Sequence, residues 1–156
     1  MRAHTVLAPP FKSDDQITLD ETDRNRRRIR LTSAGGTEFL LDLEEARLLK
    51  HGEGLLLEDG RIIEVRAEAE ALYRVRATSP HHLIALAWQL GNRHLPTEIL
   101  ETELRIRRDH VIRDMLIGLG ATVEDIVAPF DPESGAYRSG HHHSDHSHTQ
   151  TPHRHD

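Results

Sequence analysis

Thirteen imidazoles and no thiol define the chemistry open to this 156-residue chain. Seven of the histidines fall in the last sixteen positions: His141, His142, His143, His146, His148, His153 and His155. Neutral imidazole ligates Ni(II), Zn(II) and Cu(II), and histidines one to three residues apart on a flexible segment can converge on one ion. Asp145 adds a carboxylate to the set. Only three of the seven are consecutive, and Ser, Asp, Thr, Gln and Arg are interleaved, unlike a purification tag. Residues without a fixed frame make a loose site, suited to capture or buffering rather than catalysis.

Two histidines outside that segment are sharper candidates. His94 sits in Gly91-Asn92-Arg93-His94-Leu95-Pro96, on a loop between Gly and Pro where a side chain is free to meet a ligand. His110 follows Asp109 at the start of a helical pattern, with Asp114 four residues on and on the same face. For Asp109 itself, complementing the helix dipole is a sufficient structural reason. His81, His82 and His51 read as surface residues. No His-Glu-x-x-His, Gly-x-Ser-x-Gly or phosphate-loop motif occurs, so no hydrolytic or nucleotide-binding machinery is identifiable.

These residues must be positioned by about 140 residues, because the last sixteen, 141–156, contain none of the hydrophobic residues from which a core is built. Ile29 and Leu31 alternate with Arg28 and Arg30, and Phe39, Leu41 and Leu43 continue the period of two after an Ala34-Gly35-Gly36 turn. Asp59-Gly60 between Leu55–Leu57 and Ile62–Val65 predicts a hairpin. Glu44–Lys50 reads as a helical turn stopped by Gly52. A small β-barrel or sandwich over residues 1–75 follows.

Beyond it, Tyr73, Val75 and Ala77 alternate, and Ser79-Pro80 caps a helix carrying Leu83, Ile84, Leu86, Ala87 and Leu90, with Gly91 as its stop. Strands near Ile99 and Leu104–Ile106, a helix from Asp109 and a strand over Val123–Val127 complete a β-α-β-β-α-β order, that of the ferredoxin-like unit. The expected fold is α+β: the β domain, a ferredoxin-like domain over 76–135, and a disordered His-rich tail over 136–156, with Pro129–Pro132 breaking the structure before it. Halves this small gain stability by packing on a second copy.

The net charge of -6 argues against nucleic acid, since the one basic cluster (Arg24, Arg26, Arg27, Arg28, Arg30) is offset by Asp14, Asp15, Asp20, Glu21 and Asp23. No apolar run approaches the ~20 residues that span a bilayer, and Met1–His4 lacks a secretory h-region. A soluble cytoplasmic protein is expected, with no membrane partner.

The segment Gly91–Pro96, Asp109-His110-Val111 thirteen residues after Pro96, Pro129-Phe130-x-Pro132-Glu133-x-Gly135-Ala136-Tyr137 and the His-rich end together resemble the urease accessory protein UreE family. The resemblance implies a nickel metallochaperone rather than an enzyme, with a partner- or peptide-binding β domain and a metal-binding domain that forms homodimers. It maps the family's interfacial nickel ligand onto His94, one from each chain across a two-fold axis, with tail histidines completing or extending the coordination. The implied partners are the urease accessory GTPase and apo-urease. Arg108 and Gln89 stand where some members carry further histidines, which ranks His110 below His94. Nickel comes from the resemblance alone, because Zn(II) and Cu(II) suit the same donors. The competing readings are a metal-storage or detoxification protein acting through its tail, and a metal-dependent hydrolase using His94, His110 and Asp109.

Overall fold

A computed structural model describes residues 1–133. The tail histidines from His141 to His155, and the expected disorder of that segment, lie outside the described residues. The first half is a six-stranded sheet in the order β2-β6-β5-β1-β4-β3. Its strands are β1 (Arg2–Leu7), β2 (Asp15–Leu19), β3 (Arg28–Thr32), β4 (Glu38–Asp42), β5 (Gly54–Leu57) and β6 (Ile62–Ala67). The β1–β4 and β2–β6 pairs are parallel and the rest antiparallel. Alternating residues of β3 to β6, among them Leu31, Phe39, Leu41, Leu55, Leu57, Ile63 and Val65, face one buried core.

The sheet curls into a near-barrel because its two edges meet. Ala34 at the β3–β4 turn donates its N–H to Gln16 O on β2 (2.8 Å). Beside it Asp15 accepts from Ser33 Oγ (2.5 Å) and from the Gly35 N–H. The Ser33 hydroxyl, more than any other group, holds the Asp15 carboxyl below the usual carboxylate range. A Cβ on Gly35 would lie 2.6 Å from the Asp15 carboxylate, so a side chain there would push that carboxylate away from its present position.

The helical turn expected over Glu44–Lys50 does not form. That backbone is used elsewhere: Leu49 N–H donates to Arg24 O (2.8 Å), and Leu49 O accepts from the Arg24 guanidinium (3.0 Å). The helical turn is instead α1 (Glu21–Arg24), whose N-cap Asp20 accepts from Asp23 N–H. Arg24 is also not the solvated cluster member expected, being only 1 % exposed.

The chain changes sheets between β6 and β7 (Glu70–Arg76), which pairs throughout its length within the second sheet. There follow α2 (Pro80–Asn92), β8 (Glu98–Ile99), β9 (Glu103–Arg107), α3 (His110–Gly118) and β10 (Thr122–Ala128). The spatial order is β10-β7-β9-β8, with every neighbouring pair antiparallel. Leu86 and Leu90 of α2 and Ile112 and Leu116 of α3 share one core with Tyr73, Val75, Leu104 and Ile106 of the sheet. The second half is therefore a sheet with its two helices packed on it. Ile84 and Trp88, one helical turn apart on α2, stay 69 % and 68 % exposed. Among the described residues no helix is long and apolar enough to cross a membrane.

Candidate metal centre

Ser79 and Pro80 start α2 as read from sequence: Ser79 Oγ accepts the His82 N–H (3.1 Å), and proline fills the first helical position. The end differs from expectation. Gly91 does not stop the helix; the chain passes through it to Asn92 and turns at His94, whose φ is +55°. His94 N–H donates to Gly91 O (3.0 Å) and Leu95 N–H to Leu90 O (3.3 Å), the pair of reverse bonds that closes a helix on a left-handed residue. That position ordinarily takes glycine, and a residue with a Cβ is strained there. His94 is the only described non-glycine residue with positive φ. A strained, exposed imidazole held at a fixed helix end is the kind of outlier from which function is argued. Replacing His94 by glycine is expected to raise stability by about 1 kcal/mol, read from chemical denaturation. A lowered midpoint would show that the side chain, not the backbone, matters for the fold.

His110 is the first residue of α3 and is exposed. Its neighbour Asp109 is the N-cap, accepting from Val111 N–H (2.9 Å) and Ile112 N–H (3.2 Å). A cation on His110 would meet the positive end of the helix dipole and the nearby Arg108 and Arg113. No hydrogen bond joins His110 to Asp114. The two loops are nevertheless neighbours: Leu95 and Pro96 on one side, and Arg107, Arg108 and Asp109 on the other, line one cavity of about 160 Å³. Among the described residues, no three His, Asp or Glu side chains converge as a ligand set within one chain.

Three other histidines are occupied. His82 is half-buried, not the simple surface residue expected. Its Nδ1 accepts the Thr78 N–H (3.0 Å), and its Nε2 lies 2.8 Å from Leu119 O, so that nitrogen carries the proton. His51 is exposed, and its Nδ1 accepts the Ala67 N–H (3.0 Å). His4 Nδ1 lies 3.1 Å from Asp42 O. Of the six described histidines, this leaves His81, His94 and His110 with unengaged rings. The hydrogen bonds that occupy His51 and His82 leave no signal in composition or spacing.

The end of the sheet below these loops holds a dense polar seam. Arg24 Nη1 donates to Asp131 Oδ1 (2.7 Å), and Nη2 to Phe130 O (2.5 Å). His51 N–H also donates to Asp131 (3.1 Å). Arg107 pairs with Glu21 and Glu70, and its guanidinium stands 4.8 Å above the Phe130 ring. Glu98 accepts the Asp131 N–H (3.0 Å); burial pushes its carboxyl up, against the lowering effect of that bond. Pro129–Pro132, expected to break the structure, instead carries the fully buried Phe130.

Known proteins match both halves. The family description "UreE urease accessory protein, N-terminal domain" covers residues 2–68 and the corresponding C-terminal domain covers 70–156. A urease accessory protein UreE of Chelativorans sp. is 64% identical over 150 residues, 96% of this chain and 94% of the relative. One from Bradyrhizobium sp. (strain ORS 278) is 62% identical over 123 residues, 79% of this chain and 59% of the longer relative. Urease accessory protein UreE 1 of Brucella suis is 48% identical over 141 residues, 90% of this chain and 86% of the relative. With both halves matched in order and relatives this similar along nearly its whole length, the chain belongs to the urease accessory protein UreE family.

Proposed function

We propose that this protein is a nickel metallochaperone for urease maturation, binding Ni(II) as cargo at a site built on His94 and passing it to the urease assembly machinery. The observation that carries the reading is His94 itself: an exposed imidazole kept at a left-handed helix end where glycine would be relaxed. Imidazole donors without thiolate hold a borderline cation firmly while leaving it transferable. Zn(II) and Cu(II) are expected to compete for the same donors.

One imidazole does not make a site, and the described part of one chain offers no ligand trio. A homodimer supplies a second His94 across a two-fold axis. The exposed Ile84 and Trp88 on α2, the helix that runs to just before His94, are the apolar surface such a dimer would cover. The second half is read as a ferredoxin-like domain for metal binding and dimerisation, residues 1–75 as the partner-facing region, and the histidines from His141 to His155 as further ligands, with His110 peripheral. The accessory GTPase and apo-urease are the proposed partners, in the cytoplasm, and no catalytic role is assigned.

The test is nickel titration of the intact chain, of the chain truncated after Gly140, of His94→Ala and of both changes together. One tight site per dimer is expected to vanish with His94→Ala, while truncation removes mainly weaker sites. A storage protein acting through its tail would show no effect of His94→Ala. Because imidazole must lose its proton to ligate, binding is expected to weaken steeply below about pH 6. Affinity unchanged from pH 8 to pH 5 would contradict histidine ligation.

A further inference from the structure

β3 is the last strand of the first sheet, and one side of it is unpaired. At its two ends Arg27 O accepts the Leu43 N–H and Ser33 N–H donates to Thr37 O, both at 2.9 Å. In an antiparallel ladder, residues that exchange bonds with the neighbouring strand alternate with residues that face away from it. The odd-numbered residues of β3 therefore serve β4, and the N–H and C=O groups of Arg28, Arg30 and Thr32 point out of the sheet. Ala34, the next in that series, reaches Gln16 O on β2, where the two edges of the sheet meet. Short of that point, the main-chain groups of Arg28, Arg30 and Thr32 have no partner among the described residues.

Open edges are commonly blunted by proline, a bulge or a covering loop. β3 has none of these: it pairs with β4 in unbroken register, and Arg28, Arg30 and Thr32 are exposed. What it carries is charge. The acids close to it in sequence are committed elsewhere, Asp14 to the Ile62 N–H, Asp15 to Ser33, Asp20 to the cap of α1, Glu21 to Arg107 and Asp23 to Arg26. Arg28 and Arg30 form no ion pair among the described residues, so the offset expected from the sequence does not reach them. Arg2, in register with Leu40 and through it with Arg30, joins them in lining an open groove of about 500 Å³. On the opposite face of β3, Ile29 is only half-buried although Leu31 and Leu41 beside it are buried.

We propose that the β3 edge is a strand-addition site for an acidic, extended segment of a partner protein. Its carboxylates stand opposite Arg28 and Arg30, and its alternate apolar side chains cover Ile29. Main-chain bonds to the open edge supply the affinity, and the two arginines supply the selection. The inference rests on the reading of residues 1–75 as the partner-facing region and names the chemistry of the partner. A second copy of this chain does not fit the edge. Two β3 strands paired with each other would bring the arginines of both copies together, and like charges on adjoining strands are destabilising.

The probe is an acetylated peptide of about eight residues, alternating valine and glutamate, added to the full chain without nickel. Amide hydrogen exchange at Arg28, Arg30 and Thr32 is expected to slow at least about tenfold at saturation, because those N–H groups gain acceptors. Ile29 and Leu31, already bonded to β4, should change little. N-methylation of alternate peptide residues removes the donors of one peptide edge at a time, so one methylated set is expected to abolish binding and the other to leave it intact. Arg28→Glu combined with Arg30→Glu, both exposed, is expected to weaken binding at least about tenfold, with the fold checked by circular dichroism. The counterpart peptide with lysine for glutamate is expected not to bind. No slowing at the three amides, or equal effects of the two methylated sets, overturns strand addition. A single-stranded oligonucleotide that binds these arginines more tightly than the peptide would make them a phosphate surface and overturn it as well. If the peptide binds as stated but the double variant still supports activation of apo-urease at an unchanged rate, the edge stands and the partner-facing reading of residues 1–75 falls.

Discussion

Asp131→Ala is expected to destabilise the fold by about 3 kcal/mol, lowering the thermal midpoint by roughly 10 °C. The carboxylate is the counter-ion of Arg24, 2.7 Å away, with side-chain exposures of 22 % for Asp131 and 1 % for Arg24. Removing it leaves a guanidinium out of water with two carbonyls, Leu49 O and Phe130 O, as its remaining acceptors. Breaking a fully buried pair from one side costs about 3–5 kcal/mol; the partial exposure of Asp131 lets water reach the orphan and puts the expectation at the lower end. Replacing both members, Arg24→Met with Asp131→Leu, removes the desolvated charge together with its partner and is expected to be close to neutral. A single and a double variant equally destabilised in urea denaturation would contradict this account. Arg24 belongs to the helical turn beside the first sheet and Asp131 follows the last strand of the second, so the loss is expected to loosen the two halves from each other.

Trp88→Glu is expected to raise the dissociation constant of the proposed homodimer at least about 100-fold. Trp88 is 68 % exposed, and Ile84 beside it 69 %, so neither contributes much to the core of its own chain. The substitution should change the stability of the isolated chain by no more than about 0.5 kcal/mol. A glutamate buried against its own copy across a two-fold axis, by contrast, meets a like charge in an apolar surface. Sedimentation equilibrium reads the dissociation, and circular dichroism the intact fold. Because the nickel site would draw one His94 from each chain, the tight site should weaken in the same variant although Trp88 ligates nothing. A dimer unaffected by Trp88→Glu would place the interface elsewhere. A monomer retaining the tight site would show that one chain suffices.

The sequence carried the local elements wherever a period or a cap encodes them. Ser79-Pro80 starts α2, the alternation around Ile29, Leu31, Phe39 and Leu41 marks β3 and β4, and Asp59-Gly60 turns β5 into β6 with Gly60 at φ +87°. Three readings failed. Glu44–Lys50 has helical spacing but gives its backbone to Arg24, Gly91 looks like a stop but lies inside a helix that runs to just before His94, and Pro129–Pro132 looks like a break but docks Phe130. In each, a partner distant in sequence or a backbone conformation outweighed local propensity.

The sequence by itself determined the donor chemistry, imidazole without thiol, and singled out His94 by its Gly-Asn-Arg-His loop and its family likeness. It also determined the two-part order, because periodicity is written locally in apolar and polar residues. The left-handed helix end at His94 is closed locally, by bonds to Gly91 O and Leu90 O. Tertiary structure alone decided that His51 and His82 are occupied by distant backbone groups and that Arg24 is buried against the far end of the chain. Those outcomes depend on hydrogen bonds between residues up to 107 positions apart, and such pairings have no periodic trace in a sequence.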